Sequence, residues 1–341
     1  MMIADRPRVE LGTWPTPLVR ARRLESHLGA GPLLIKRDDL SGFALAGSKT
    51  RPLEFLLGDA VAAGRDAIVV GGVPTSNFCQ AAAVAARVVG LDCHIVLPGQ
   101  PRSKLTANLA MALACGAQVT FSAGPRAELD ERIQERAAQL IRAGCSAAAI
   151  PRGGANAVGT LGFCRAAQEL AEQLSARGHD RARIVLAVGS GASIAGLLVG
   201  AHALARPWTL TGVSVSRPQA AMAAHLRALV SGSAELLDSA GPAPSVPELV
   251  QSPGGHREAG EPTADERSAT ELALQTEGLV LDPDYTARAF PTVLRQLAEE
   301  GPPVVFWHTG GLPSAISSYL RADLDPDATA ATVAPPRQGT P

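Results

Sequence analysis

The sequence predicts an α/β protein with two open, twisted α/β domains and parallel-rich sheets. Short apolar runs bounded by Gly, Pro or a charge alternate with longer Ala- and Leu-rich segments of helical periodicity, which is typical of βαβ units. The runs are continuously apolar, as expected for strands covered on both faces. Hydrophobic residues make up 46% of the chain and aromatic residues only 4%, a balance that suits close packing of helices on a sheet.

The predicted elements follow this alternation from the first apolar run onward. A strand is predicted at 33–35, before a loop of small residues. Further strands are predicted at 67–70, 94–97, 118–121, 147–150, 183–188, 209–215 and 303–307, and helices at 80–89, 103–115, 128–143, 159–177 and 194–204.

The chain length and two irregular segments bear on the domain organisation. At 341 residues the chain exceeds one core of ordinary size, so two domains, or one large α/β unit with a smaller one, are expected. Residues 231–263 are rich in Gly, Pro, Ser and Glu and are predicted to form a long loop or excursion. The tail at 326–341 is predicted to be disordered.

Composition excludes several classes of partner. There are 31 basic and 32 acidic residues and no basic patch, so no nucleic-acid partner is implied. The five cysteines show no metal-ligand spacing, so we predict no metal site and reduced thiols of a cytosolic protein. No apolar run approaches about twenty residues and no signal pattern opens the chain. We therefore expect a soluble, cytoplasmic protein without a membrane partner.

Lys49 is the first candidate for chemistry. It follows the small residues Ala46, Gly47 and Ser48 instead of lying among other charges on a helix face. A lysine sheltered in this way can lose its proton and act as a nucleophile, as Schiff-base lysines do. Considered alone, the pattern is weak evidence, and a surface lysine after a loop is the commoner case.

A second candidate is a glycine-containing turn between an apolar strand and a helix. Its residues are Gly189, Ser190, Gly191, Ala192 and Ser193. Backbone amides at the start of a helix favour an anion, so the turn predicts a phosphate cradle. It lacks the Gly-Lys-Ser/Thr of a nucleotide P-loop, and a plain tight turn remains the alternative.

Three other loops carry polar side chains after apolar runs. Ser76 or Asn77 would cap a helix, and the other would face a ligand at the carboxyl end of the strand. Thr309 could hydrogen-bond a ligand ring, whereas His308 is interpreted as a satisfied buried histidine. Tyr285 could act as an acid or base, or simply pack half-buried.

Together these segments resemble the fold type II pyridoxal-phosphate (PLP) enzymes, the tryptophan synthase β-subunit family. More narrowly, they resemble the branch containing 1-aminocyclopropane-1-carboxylate (ACC) deaminase and D-cysteine desulfhydrase, over residues 11–319. The matching segments are Thr16-Pro17-Leu18, Lys36-Arg37-Asp38-Asp39-Leu40, Gly47-Ser48-Lys49-Thr50-Arg51, Gly71-Gly72 with Ser76-Asn77, Gly189-Ser190-Gly191, Glu277-Gly278 with Leu281-Asp282-Pro283 and Tyr285-Thr286, and His308-Thr309-Gly310-Gly311.

The resemblance implies PLP in a cleft between two domains, the larger formed by residues 1–45 and 160–325 and the smaller by 46–159. It also implies a homodimer. Lys49 would hold the cofactor as a Schiff base and shuttle a proton. Ser76 would bind the substrate carboxylate or act beside it, and Tyr285 would act near the substrate as acid or base or as a nucleophile-like partner. The implied cofactor contacts are Asn77 to the 3′-oxygen, Gly189, Ser190, Gly191, Ala192 and Ser193 to the phosphate, and Thr309 to the pyridine nitrogen with Thr286 nearby.

The implied reaction is that of a PLP-dependent lyase acting on a small amino-acid substrate. The leading hypothesis is α,β-elimination of D-cysteine-like substrates to a 2-oxo acid and ammonia. Thr286 stands where ACC deaminases carry glutamate, which argues against ring opening. Thr75, Phe78 and Ala259 replace other residues usual in the family, so β-replacement, ACC deamination and a catalytically degraded PLP-binding protein remain as alternatives.

Overall fold

The computed structural model describes residues 3–101, 104–237, 242–252 and 262–320. These residues contain ten strands and eleven α-helices. The strands are β1 Leu18–Arg20, β2 Leu33–Arg37, β3 Ala67–Gly71, β4 Asp92–Pro98, β5 Gln118–Ser122, β6 Ala147–Ala149, β7 Ala182–Val188, β8 Trp208–Ser214, β9 Glu248–Gln251 and β10 Val304–His308. The helices are α1 Arg22–Leu28, α2 Thr50–Ala62, α3 Asn77–Val88, α4 Ala107–Ala114, α5 Leu129–Arg142, α6 Ala157–Ser175, α7 Ala192–Ala203, α8 Gln219–Leu236, α9 Ala264–Glu277, α10 Thr286–Leu297 and α11 Leu312–Tyr319.

The strands form two separate sheets. One has six strands in the order β1-β2-β10-β7-β8-β9, and the other has four in the order β5-β4-β3-β6. The β1–β2 pair is antiparallel, and every other strand pair is parallel. The predicted α/β class with parallel-rich sheets is confirmed.

Both faces of the six-stranded sheet are buried. On one face, Leu186 and Trp307 belong to a core that includes Leu170 of α6. On the other face, Val185 and Phe306 pack in a core that includes Phe290 of α10. Neighbouring residues of one strand thus enter opposite cores, which explains why these strands are continuously apolar.

The four-stranded sheet repeats this arrangement on a smaller scale. Ile68 and Val70 of β3 pack in a core formed with α2, α3 and α4. Val69, between them, packs on the opposite face against Ile133 of α5. Close packing of this kind suits the alanine-rich α3, whose small side chains let the helix approach the sheet.

The prediction of a long loop at 231–263 is corrected in part: regular structure occurs in the described residues 231–237 and 242–252, while 238–241 and 253–261 lie outside the described residues. Helix α8 continues through Leu236, and β9 adds an edge strand that pairs in parallel with β8. Ser233 is fully buried, and its hydroxyl lies 2.7 Å from that of Thr160 on α6. Packing on α6 therefore outweighs the weak helix propensity of the Ser-Gly-Ser sequence.

The predicted domain division remains a prediction. The six-stranded sheet takes its strands from residues 18–37 and 182–308, and the four-stranded sheet from 67–149. The tail at 326–341, predicted to be disordered, and Ala259 lie outside the described residues. Within the described ranges, no helix combines the length and apolarity needed to cross a bilayer.

Candidate active site

The loops singled out in the sequence meet at one cavity between the two sheets. Lys49 ends a short 3₁₀ turn before α2, Asn77 opens α3 after β3, Gly189 follows β7, and Thr309 follows β10. The lining is completed by Ala187, Val188, Ser190, Gly191, Ser193, Ile194, Asp282, Tyr285 and Gly310. Three strands thus contribute their carboxyl ends, where ligands bind in open α/β sheets.

Lys49 projects an amine into this cavity. Its side chain makes no hydrogen bond or ion pair with another residue in the described part of the chain. Burial lowers the pKa of this amine, and the nearby carboxylates of Asp282 and Asp38 oppose that shift without cancelling it. A depressed pKa gives a larger fraction of the neutral, nucleophilic amine at neutral pH.

A backbone contact fixes the position of Lys49 relative to Thr309. The Ser48 amide donates a 2.9 Å hydrogen bond to the Thr309 carbonyl. Gly47 has a left-handed φ of +56°, and a Cβ there would lie 2.3 Å from that same carbonyl oxygen. Glycine is required at this point because the two loops are in backbone contact.

The glycine turn has the geometry of an anion cradle. Gly191 has a φ of +93° and precedes the twelve-residue α7, whose first amides face the cavity end of the helix. A Cβ on Gly189 would lie 2.7 Å from the Tyr285 ring. Gly189, Ser190, Gly191 and Ser193 line the cavity, whereas Ala192 is the buried first residue of α7 and is not among the lining residues.

Ser76 and Asn77 divide the two roles expected of them. The Ser76 hydroxyl caps α3 by accepting a 3.2 Å hydrogen bond from the Cys79 amide. The Asn77 side-chain oxygen accepts a 2.8 Å hydrogen bond from Asn108. This bond orients the Asn77 amide so that its NH₂ group remains available as a donor in the cavity. Asn108, on α4, carried no recognisable signal in the sequence.

Tyr285 is held over the glycine turn by a tight loop before α10. Burial raises the pKa of its phenol to about 12, with Asp284 and Asp282 adding to the shift. The phenol is therefore neutral at physiological pH and can donate a proton or hydrogen bond.

His308 is interpreted from the sequence as a satisfied buried histidine. Its ring accepts a 3.3 Å hydrogen bond from the Gly310 amide, and burial lowers its pKa.

Asp282 lines the cavity and was not predicted as a site residue. Its carboxylate accepts hydrogen bonds from the amides of Asp284, Tyr285 and Thr286 and from the Thr286 hydroxyl. Burial nevertheless raises its pKa to about 6. Thr286, expected beside the cofactor nitrogen, instead lies behind Asp282 and is absent from the residues that line the cavity.

A buried ionic network supports the Lys49 segment from beneath. Arg51 forms a two-pronged ion pair with Asp38 at 2.7 and 2.8 Å and reaches Glu169 of α6 at 3.0 Å. Lys36, fully buried on β2, also pairs with Glu169. Trp307 completes the set by donating a 2.8 Å hydrogen bond to Asp38. The network joins β2, β10 and α6 to the first turn of α2, directly after Lys49.

An adjoining cavity of about 360 Å³ extends from the same residues. It shares Lys49, Asn77, Gly189, Ser190 and Tyr285 with the first cavity. Its other lining residues are Gly71, Gly72, Val73, Ser76, Phe78, Arg126, Ala127, Arg152, Gly153, Ser216, Arg217 and Pro218. The three arginines gave no signal in the sequence, because they come from loops far apart in the chain.

Comparison with known proteins identifies the class. The family model described as "Pyridoxal-phosphate dependent enzyme" matches residues 9–310, so the chain belongs to this family. Its fold is that of the fold type II PLP enzymes. The predicted cofactor and the predicted class, a PLP-dependent lyase, are confirmed.

The relatives also support the narrower branch. A Pyrococcus horikoshii protein with the provisional name 1-aminocyclopropane-1-carboxylate deaminase is 36% identical, over 91% of this chain and 94% of its own. D-cysteine desulfhydrase of Klebsiella pneumoniae is 33% identical, over 92% and 96%. The crystal structure of an ACC deaminase homologue superposes with a TM-score of 0.83 at 34% identity, covering 92% of this chain and 94% of that one.

The residues of the cavity fit PLP. The amine of Lys49, whose lowered pKa favours the neutral form, can condense with an aldehyde. The backbone amides of the glycine turn can bind a phosphate. The space for that phosphate depends on the absence of side chains, since a Cβ on Gly153 would lie 2.5 Å from the Ser190 hydroxyl. The NH₂ group of Asn77 suits a phenolic ring oxygen.

Proposed function

We propose that the chain catalyses α,β-elimination from a small amino acid of the D-cysteine type, releasing a 2-oxo acid and ammonia. The observation that carries the proposal is that Lys49, whose pKa is lowered, and Tyr285, whose phenol is neutral, line the same cavity. For D-cysteine the balanced reaction consumes one water and yields pyruvate, ammonia and hydrogen sulfide.

PLP, when bound, supplies an aldehyde that condenses with amines and a ring that withdraws electrons from Cα. The residues of this chain would hold it at three points. The amides from Gly189 to Ser193 would bind the phosphate, and Asn77 would donate to the ring oxygen. Thr309, with Asp282 beside it in the same cavity, would face the pyridine nitrogen. This assignment adds Asp282 to the residues expected from the sequence.

Proton movement is assigned from the two perturbed groups. Lys49, once released by the incoming amine, is the base at Cα, because burial lowers its pKa. Tyr285 is the acid. Its pKa is raised to about 12, so the phenol stays protonated at physiological pH and can donate this proton to the leaving group at Cβ. Ser76, at the start of α3, would bind the substrate carboxylate together with the helix amides.

The size of the larger cavity favours a second candidate, β-replacement. About 360 Å³ exceeds the space that an amino acid as small as cysteine requires, and Phe78 contributes an apolar wall. A second, nucleophilic substrate could enter there. If the protein forms only the 2-oxo acid and ammonia whatever nucleophile is offered, this candidate is excluded.

The experiment that tests the proposed function compares Lys49→Ala with Lys104→Ala. Lys104 is exposed and lies outside both cavities, so it is a matched control. Borohydride reduction followed by peptide mapping should place the pyridoxyl group on Lys49 in the parent protein and in Lys104→Ala. Lys49→Ala should lose both the covalent label and turnover; retained turnover would refute the assignment.

We also propose a cytoplasmic homodimer with the domain division 1–45 plus 160–325 and 46–159. Closed two-fold dimers are the commonest assembly of soluble enzymes. Light scattering of the purified protein measures the assembly directly. A monomer mass at micromolar concentration would contradict the dimer.

A further inference from the structure

Three arginines line the larger cavity but are not among the residues that line the smaller one. Arg126 lies between β5 and α5, Arg152 between β6 and α6, and Arg217 between β8 and α8. The two sheets therefore both contribute guanidinium groups to the space that also holds Lys49 and Tyr285. Because the glycine turn and the Asn77 amide complete the smaller cavity without them, the arginines are not needed to hold the cofactor.

The loop that carries Arg217 is fixed in place by short polar contacts. The Ser214 hydroxyl donates a 2.8 Å hydrogen bond to the Arg217 carbonyl. The Ser216 hydroxyl donates a bond of the same length to the Gly189 carbonyl. Arg217 is thus presented from a backbone tied to the glycine turn itself, as expected for a preorganised binding residue.

Arg217 lies near two other guanidinium groups and one carboxylate, that of Asp130. Asp130 accepts hydrogen bonds from the Arg152 amide at 2.9 Å and its Nε at 2.8 Å, so this carboxylate is already paired. The half-buried guanidinium of Arg217 makes no hydrogen bond or ion pair with another described residue. Burial and the cations of Arg152 and Arg126 lower the pKa of Arg217, against the opposing effect of Asp130. A partly desolvated cation beside two others calls for an anion.

Resting on the proposed function, we propose that the substrate is an amino acid with a second anionic group on its side chain, which Arg217 binds within the arginine-lined part of the larger cavity. Guanidinium geometry matches planar or tetrahedral oxyanions such as carboxylate, phosphate or sulfonate. The α-carboxylate has its own partners at Ser76 and the start of α3. The second charge explains why one cavity combines a helix N-terminus with a separate guanidinium cluster.

Aspartate and asparagine test this directly, because they are nearly equal in shape and differ by one charge. The experiment is calorimetric titration of the PLP-loaded protein with each, in both enantiomers, repeated with O-phosphoserine and serine. The anionic member of each pair should bind about tenfold to a hundredfold more tightly. Arg217→Gln should abolish that preference. Arg227→Gln, on the exposed side of α8, should retain it.

Two outcomes would overturn the inference: equal affinities in the parent protein, or an unchanged preference in Arg217→Gln. An unchanged preference with both ligands weakened equally would instead assign Arg217 to the α-carboxylate. Turnover of β-chloro-D-alanine is measured in parallel. If the parent protein does not turn over β-chloro-D-alanine but keeps the charge preference, the proposed elimination reaction is contradicted while the anion site at Arg217 is still supported.

Discussion

The Thr286 hydroxyl, at the start of α10, donates a 2.7 Å hydrogen bond to the carboxylate of Asp282, four residues before it in the chain. Three backbone amides converge on the same carboxylate, so it is both buried and fully hydrogen-bonded. The contact explains why Thr286 does not reach the cavity: its hydroxyl is already used. Asp282, and not Thr286, therefore lines the cavity.

The first prediction concerns the pH dependence that Asp282 gives to stability. Its folded-state pKa is raised from the ordinary 3.8 to about 6, mainly by burial, so the folded protein binds this proton more tightly than the unfolded chain. The stabilising contribution is fully present below pH 3.8 and is lost as the pH rises to about 6. Between these limits the contribution of Asp282 falls by about 3 kcal/mol.

The measurement is urea unfolding of the parent protein and of Asp282→Asn at several pH values between 3.5 and 7. The difference between the two unfolding free energies isolates the titration of Asp282. The unfolding free energy of the parent protein, relative to that of Asp282→Asn, should fall as the pH rises. A difference that does not vary with pH would show that burial has not perturbed this carboxyl.

The second prediction concerns the backbone contact between Gly47 and Thr309. Gly47→Ala should lower the unfolding free energy by about 3 kcal/mol, because it adds a Cβ 2.3 Å from a carbonyl oxygen to the cost of a left-handed residue. Gly29→Ala is the control: its φ is +63°, but open space surrounds the added Cβ, so the cost should be about 1 kcal/mol. Gly47→Ala should also weaken PLP binding, measured by cofactor absorbance. Equal costs for the two variants would contradict the contact.

The third prediction separates the acid role of Tyr285 from simple packing. Tyr285→Phe should lower turnover about 10²- to 10⁴-fold while leaving the cofactor bound. Because the pKa of this phenol is raised to about 12, it should cause no alkaline loss of activity below about pH 10. Tyr319→Phe, at the other and exposed tyrosine, should behave like the parent enzyme. Normal turnover in Tyr285→Phe would exclude the role.

The fourth prediction concerns the ionic network below the site. Glu169→Gln removes the carboxylate that faces both Lys36 and Arg51, and should lower the unfolding free energy by about 3–5 kcal/mol at pH 7. Burial would raise the pKa of Glu169, but Arg51 and Lys36 outweigh it and hold the pKa below its ordinary 4.5. The stabilisation is therefore present above pH 4.5 and is lost as the pH falls below that value.

Glu172→Gln provides the matched control, since Glu172 lies exposed on the same helix. Its effect should stay within about 0.5 kcal/mol at every pH. If thermal or urea unfolding ranks the two variants equally, the network does not hold the Lys49 segment as described.

The central strands could be predicted closely, because strands that are buried on both faces consist of continuous apolar residues. β7 and β10 each carry continuous apolar runs and were placed to within one residue. The edge strands β1 and β9 were missed, because they have only three and four residues and depend on pairing with β2 and β8. Their own residues, such as Glu248 and Gln251, give no strand signal.

The candidate site likewise contains residues that could be predicted from the sequence and residues that could not. That Lys49, Asn77 and Thr309 lie at one cavity could be predicted, because each stands in a loop that follows an apolar strand. Asp282 lies in the Leu281-Asp282-Pro283 segment that carries the family resemblance, but its place in the cavity wall depends on how the chain turns into α10. Arg217 could not be found, because its proximity to the other cavity arginines depends on the packing of the two sheets.

The most direct test of the proposed elimination is pyruvate and ammonia release by the purified, PLP-loaded protein from D-cysteine, with L-cysteine, β-chloro-D-alanine and ACC alongside. The account predicts equimolar pyruvate and ammonia from D-cysteine or the chloroalanine, lost in Lys49→Ala and strongly reduced in Tyr285→Phe. Ring opening of ACC in preference to the others, or no product from any of them with the cofactor fully bound, would contradict it.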